Sequence, residues 1–306
     1  MKLKKKISML LVASMLSSSF VFAAPEDIEG SLSSMEVATY GKAQTGAVME
    51  RIERLEREYN GKLSAGSMTS RIDALYDELY TNENAPSKEA LMNAIEWNIR
   101  REVSDEPLIT RLSAMEMKIN GKTGTGTLTE RLDDLSIASF GENQLPVVKT
   151  NVPAGTLIKI ALSEPVTTKN IKVGDKVKYH VAADVISDGI LIFTKGAKGE
   201  GKVTKVTPAR NFGRNAELVV EFEKTKAMEG TYVDTYVGEA SKTEMKNAAM
   251  AAGASIAGIA LLGPVGIIAG AFVKGKNIEL PEGTELYVET KHDTPLYGVQ
   301  MAINAE

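Results

Sequence analysis

The sequence predicts an α+β multidomain chain: a region of short helical repeats, then a β-barrel or β-sandwich domain carrying an inserted apolar helical hairpin. Three observations predict it. A twenty-residue repeat runs from Ser31 to Gly141. Beyond Leu145, β-branched residues alternate with polar ones between glycine-containing turns. From Ala248 to Val273 the chain holds no charge and is rich in alanine and glycine.

The N-terminus comes first in order. Lys2, Lys4, Lys5 and Lys6 precede an apolar stretch, Ile7 to Phe22, which closes on Val21-Phe22-Ala23. A basic start, an apolar middle and a small-residue end describe a secretory signal peptide over residues 1–23, cut after Ala23. Ser14, Ser17, Ser18 and Ser19 interrupt the apolar stretch, which falls short of the about 20 apolar residues a spanning helix needs. The expected location is therefore exported, in the periplasm or associated with an outer membrane. Loss of four lysines and no acids leaves 32 basic against 40 acidic residues, so the net charge moves from −4 to −8. An acidic chain without a basic block argues against nucleic acid, whose binders need a positive footprint. The absence of cysteine excludes disulfides, a thiolate nucleophile and cysteine-ligated metal.

The repeat region, residues 24–143, keeps a strict beat. Arg51, Arg71, Arg111 and Arg131 are spaced at multiples of twenty, followed by Ile52, Ile72, Leu112 and Leu132, then Leu55, Leu75, Met115 and Leu135, with Glu56 and Glu116 in the same register. Glycines recur in pairs, as at Gly61 and Gly66 or Gly121 and Gly126. Two units are degenerate: Thr81 and Pro86 replace the glycines of one, Arg101 and Glu106 those of the next. Within a unit the apolar residues, such as Met68, Ile72, Leu75 and Leu79, step by four, three and four, which is one stripe on a helix. Thr127 with Glu130 makes a capping-box start. The glycines divide the region into helices of about 13 residues, each marginal alone, so each must bury its stripe against neighbouring repeats or another chain. The segment Gly121 to Gly126 resembles a phosphate-binding loop. It fails the pattern, because Met117 stands where a glycine is needed and no strand precedes it. The four repeated arginines are expected on the repeat surface, where they either cover apolar surface, pair with an acid, or form a row that reads a ligand.

The β-domain, residues 144–306, begins after Gln144-Leu145-Pro146. Strands are expected at Leu157–Leu162, Val177–Val181, Ile190–Phe193, Leu218–Phe222 and Leu286–Val288. A Pro-x-Gly-Thr turn precedes the first of these at Pro153 and the last at Pro281, so the last strand should join the same domain as the first.

The charge-free run 248–273 is flanked by Lys242 and Lys246 before it and Lys274 and Lys276 after it. Its length permits one membrane crossing, but a single crossing would strand the last predicted strand on the far side of a membrane from its own sheet. Gly263-Pro264 divides it into two short helices, a hairpin returning to the side it left. Gly253, Gly258, Gly266 and Gly270 sit in small-x-x-x-small pairs that let helices approach closely. Three readings are open: the hairpin dips into a membrane, assembles with copies of itself, or packs over one end of the β-domain. The small residues and flanking lysines favour the first two.

From Asp184-Val185 through Asp188-Gly189-Ile190-Leu191-Ile192-Phe193-Thr194-Lys195-Gly196-Ala197, then Gly199-Glu200-Gly201-Lys202-Val203, the chain resembles the outer-membrane-core barrel domain of type IV secretion and conjugation channels. The likeness covers roughly Val147 to Val288. It implies a barrel with a helical hairpin inserted between late strands. A signal sequence and a helical repeat stand where that family has an inner-membrane helix and a proline-rich spacer, so secretion of DNA or effectors is not implied. The apolar run also resembles the glycine-zipper hairpins of bacterial envelope proteins. The chain as a whole resembles uncharacterised exported proteins with Tyr-Gly repeats, a likeness carried by Tyr40-Gly41 and Phe140-Gly141.

No catalytic constellation emerges. His180 and His292 have no metal-ligand spacing around them. No serine sits in a nucleophile elbow. Trp97, the lone tryptophan, lies on the flank of a helical stripe and reads as packing. No cofactor is expected. The reading favoured is a non-catalytic envelope component that assembles through its repeats and contacts a membrane surface or like subunits through the hairpin. Envelope proteins or the cell wall are further partners. The alternative is a periplasmic wall- or polysaccharide-binding module whose repeats contact the polymer and whose hairpin is soluble core.

Overall fold

The computed structural model describes residues 27–83, 85–141, 147–209, 216–251 and 277–301. The expected signal peptide and most of the expected hairpin, including Gly253, Gly258, Gly263, Pro264, Gly266 and Gly270, lie outside the described residues. The architecture is α+β, with helices first and antiparallel strands after them.

Six helices occupy the repeat region: α1 (Ile28–Tyr40), α2 (Val48–Asn60), α3 (Met68–Tyr80), α4 (Lys88–Arg100), α5 (Leu108–Asn120) and α6 (Leu128–Phe140). Each has 13 residues. Their starts follow capping chemistry: the side chains of Asp27, Ser67, Ser87 and Thr127 accept backbone N–H groups of the first turn. Thr127 and Glu130 form the full capping box. At the C-terminal ends Gly41, Gly61 and Gly121 take the left-handed conformation and return their N–H into the last turn. Arg101 adopts the same conformation at φ 59° without being glycine. Its guanidinium lies 4.5 Å from the centre of the Trp97 ring, a stacking contact that offsets the steric cost.

The stripe is buried within the chain. Leu32, Met35, Ile52, Leu55, Leu75, Leu79, Met92, Ile95, Leu112, Met115, Leu132 and Leu135 are all withdrawn from solvent. The helices do not stack in one direction as a simple solenoid would. Helices α1, α2 and α3 contact one another, α4, α5 and α6 do likewise, and the two sets meet through α1 with α5, α2 with α6 and α3 with α4. Of the two expectations for the stripe, neighbouring repeats and another chain, the structure uses the first. A partner of the helical part would have to use its outward faces, on which Val37, Met117, Ile119 and Ile137 are exposed among polar residues.

The β part contains a closed six-stranded barrel. Its strands are β2 (Leu157–Leu162), β4 (Lys176–Val181), β7 (Lys198–Thr207), β8 (Glu217–Lys226), β9 (Tyr232–Tyr236) and β11 (Glu285–Thr290), hydrogen-bonded in the order β11-β2-β4-β7-β8-β9 and back to β11. A side sheet of order β1-β12-β6-β5 uses β1 (Val147–Val152), β5 (Val185–Ser187), β6 (Ile190–Phe193) and β12 (Thr294–Gln300). The short strands β3 (Val166–Thr167) and β10 (Glu279–Leu280) pair separately. Closure leaves no edge on the barrel itself, and alternate residues such as Ile158, Ile160, Val177, Val181, Phe222 and Val288 fill its interior.

The strands that follow the two Pro-x-Gly-Thr turns pair antiparallel with each other, so both lie in the same domain as expected. Each threonine hydroxyl donates back to its own proline carbonyl, at 2.7 Å for Thr156 and 2.6 Å for Thr284. Thr290 N donates to Thr156 O and Leu162 N to Thr284 O, so each turn closes the far end of the other's strand.

Helix α4 joins the two parts. Asn93 Nδ2 donates to Met228 O at 2.9 Å and Trp97 Nε1 to Asp184 Oδ2 at 2.9 Å. Val103 N donates to Lys195 O at 2.8 Å, and Lys226 Nζ meets Glu89 at 2.6 Å. The degenerate unit of the repeat is thus the one that docks on the strands.

Candidate functional site

The four arginines are not on the repeat surface. Arg51, Arg71, Arg111 and Arg131 are 4, 8, 4 and 8% exposed. Each donates to the glutamate fifteen residues earlier, on the preceding helix: Arg51 to Glu36, Arg71 to Glu56, Arg111 to Glu96 and Arg131 to Glu116. Three of these glutamates also accept the N–H of the residue eight positions later, at Gln44, Ser104 and Gly124. Glu56 does the same with Ser64. One carboxylate thus ties its own helix to the loop after it and to the next helix. Burial raises the pKa of Glu36 and Glu116, but the paired guanidinium and loop N–H outweigh it and hold both below the ordinary carboxylate value. Arg71 likewise holds Glu56 low. With its donors used in this way the row has a structural role, the pairing with an acid that was one of the expectations.

The ladder's ends show its logic. The first unit has Ser31 in the arginine register, where no earlier glutamate exists, and the last has Ser136 in the glutamate register, where no later arginine exists. Inside the region one step lacks both partners: Tyr76 stands in the glutamate register and Leu91 in the arginine register. That step is α3 to α4, where the repeat glycines are also missing.

A large cleft opens at the same step. It encloses about 1390 Å³ and is lined by α1, α3, the loop after α4, and the strands β7, β8, β9 and β12. Tyr76 and Tyr80 contribute from α3, with ring centroids 4.9 Å apart and planes tilted by 56°. Tyr232 and Tyr297 line it from the β part. Its ionisable lining comprises eight acids and four bases, an excess of negative charge. Every base is engaged. Arg111 is bound to Glu96 and Asn93, Lys226 to Glu89, Lys198 lies 3.6 Å from Asp105, and Lys149 sits over the Tyr297 ring. Burial opposes the charge of Glu89, but Lys226 and Arg111 overcome it and hold the pKa down to about 2. Glu229 behaves oppositely. Burial pushes it above the ordinary value despite hydrogen bonds from Thr231 at 2.5 Å and Tyr297 N at 2.6 Å. The sequence reading missed this cleft. The paired departure at Tyr76 and Leu91 is the signal that could have marked it.

The roots of the apolar run are fixed on the barrel. Helix α7 (Glu239–Ala251) leads into it, and Glu289 of β11 accepts from Ser241 N at 2.7 Å and Ser241 Oγ at 2.9 Å in the first turn of that helix. The negative carboxylate suits the positive end of the helix. At the far root Asn277 Oδ1 accepts from Thr168 Oγ1 at 3.2 Å and Ala209 N at 3.0 Å. The barrel strands before and after the run, β9 and β11, are hydrogen-bonded neighbours. No helix among the described residues is long and apolar enough to cross a membrane.

Among the described residues no group of three His, Asp or Glu side chains is placed to hold a metal. His180 Nδ1 lies 3.2 Å from Ser163 Oγ, an exposed pair. No protein-family model matches the chain, and no curated protein matches it. Among solved structures, ComB10 of the Com type IV secretion system of Helicobacter pylori is similar at 13% identity and a TM-score of 0.26, covering 47% of this chain and 88% of that one. A TM-score that low assigns nothing to this chain.

Proposed function

We propose that this protein is a non-catalytic component of a bacterial envelope, exported by its N-terminal signal, whose barrel presents the run 248–273 to a membrane or to like subunits. One observation carries the reading. The charge-free run leaves the barrel after β9 and rejoins it at β11, and those two strands pair with each other. A segment that must return to its starting point favours a hairpin over a single crossing. The Ser241–Glu289 and Asn277–Ala209 contacts tie its roots to β11 and to the segment just after β7. Burial of such a run in lipid or against a second copy would drive the contact at roughly 25 cal/mol per Å² of apolar area. The boundaries proposed for the mature protein are a helical unit over 24–143 and a β unit over 144–306.

Fractionation of cells tests the proposal. The mature protein should resist a carbonate wash, and a form with Ala248–Val273 replaced by a Gly/Ser linker should be released. Release of both forms alike, with no change in oligomeric state, would contradict it.

A further inference from the structure

We propose that the cleft between the helices and the barrel binds a neutral, polyhydroxylated chain, an oligosaccharide, with Tyr76 as a stacking platform. The site is independent of the apolar run and stands or falls without it.

The first support is a broken internal rule. Units on both sides place a buried glutamate at the position of Tyr76, at Glu36, Glu56, Glu96 and Glu116, and pair it with an arginine. Only at α3 to α4 do both partners change, and Tyr76 of that step lines the cleft. Tyr76 and Leu91 pack against the core in place of the ion pair, and a departure from a consistent local pattern that also faces a cleft is a candidate functional position. Tyr76 is half-buried and rests against Tyr80, so its ring is held in place at the cleft wall.

Charge then selects the class of ligand. The lining carries twice as many acids as bases, and each base already has a partner. A phosphate, an acidic glycan or an anionic lipid headgroup would meet a net excess of negative charge. The exposed carboxylates Asp73 and Asp77 are acceptors available to the hydroxyls of a sugar. Rings contributed by both the helical and the β walls provide flat, amphipathic surface of the kind a sugar face covers. At about 1390 Å³ the cleft exceeds the ordinary range for a small-molecule pocket, about 300–1,000 Å³, and suits a chain. A cationic peptide is the competing ligand, drawn by the same acids and able to place a cation over a tyrosine face, and oligolysine tests it.

Calorimetric titration of the mature protein tests this with three probes: a soluble N-acetylglucosamine oligomer beside a neutral glucan oligomer, oligolysine, and an acidic oligosaccharide. The expected result is binding of a neutral oligomer, weakened about threefold to tenfold by Tyr76→Ala and retained by Tyr76→Phe. Circular dichroism confirms that each variant is folded, and Tyr297→Ala provides a second variant on the other wall. Absence of binding by either neutral oligomer, binding of oligolysine or the acidic oligosaccharide in its place, or neutral binding unchanged in both alanine variants would overturn the proposal.

Discussion

Trp97, on helix α4, donates its indole N–H to Asp184 Oδ2 at 2.9 Å, and the other oxygen of Asp184 accepts Lys195 N at 2.7 Å. One carboxylate therefore holds both the helical part and the turn that follows β6. Asp184→Ala leaves the buried indole donor and a turn N–H without this acceptor, a loss of about 1–3 kcal/mol. Because Trp97 is the lone tryptophan, its emission during denaturant unfolding reports the seam directly. A lowered midpoint is expected, with the emission of the folded variant shifted to the red.

Gly196 provides a steric test of the same seam. It sits at φ +88°, and a Cβ there would lie 2.0 Å from the carbonyl oxygen of Val103. Gly196→Ala combines a strained backbone with a collision that neither loop can absorb without moving, at a cost of about 1–3 kcal/mol. Limited proteolysis should show faster cleavage in the loop after α4 than in the parent chain.

The Arg131–Glu116 pair tests the ladder. Its side chains are 10 and 3% exposed and meet at 2.8 Å. Arg131→Met leaves a buried carboxylate unpaired and should cost about 3–5 kcal/mol, whereas combining Arg131→Met with Glu116→Leu should restore much of that loss. A double-mutant cycle on thermal unfolding measures the difference.

The helical part should lose stability in acid. Glu36, Glu56 and Glu116 titrate below their ordinary value when folded. Their stabilisation is therefore complete above the unfolded pKa and is lost as pH falls through the folded values. The Glu89 contribution is lost as pH falls through its folded pKa of about 2. Glu229 has the opposite sign: its raised pKa favours folding below the unfolded value, and that share disappears as pH rises through the folded one. Denaturant midpoints taken from neutral pH downward should fall, and Glu229→Gln should remove the opposing share without changing the ladder.

Local elements were the most legible part of the sequence. The glycine beat and the apolar stripe mark the helices, Thr127 and Glu130 mark a cap, and the expected strands Leu157–Leu162 and Ile190–Phe193 coincide with β2 and β6. These follow from near-neighbour chemistry. The reading did not extend to relations fixed by packing. The stripe shows that helices bury a face but not that six of them close on themselves. The arginines look like surface residues until the fifteen-residue partner is found, because that distance is neither helical nor strand periodicity. The cleft arises between parts distant in sequence, so only Tyr76 and Leu91, read against the other units, hint at it.

Vesicle flotation of purified mature protein, beside the form with Ala248–Val273 replaced by a linker, most directly separates an envelope-contacting barrel from a soluble one. Light scattering on the same samples gives the oligomeric state. The full form should float with vesicles or form a larger assembly, and the linker form should remain a folded monomer at the bottom of the gradient. If both forms stay monomeric and unbound, the apolar run is soluble packing and the envelope contact proposed for it is wrong.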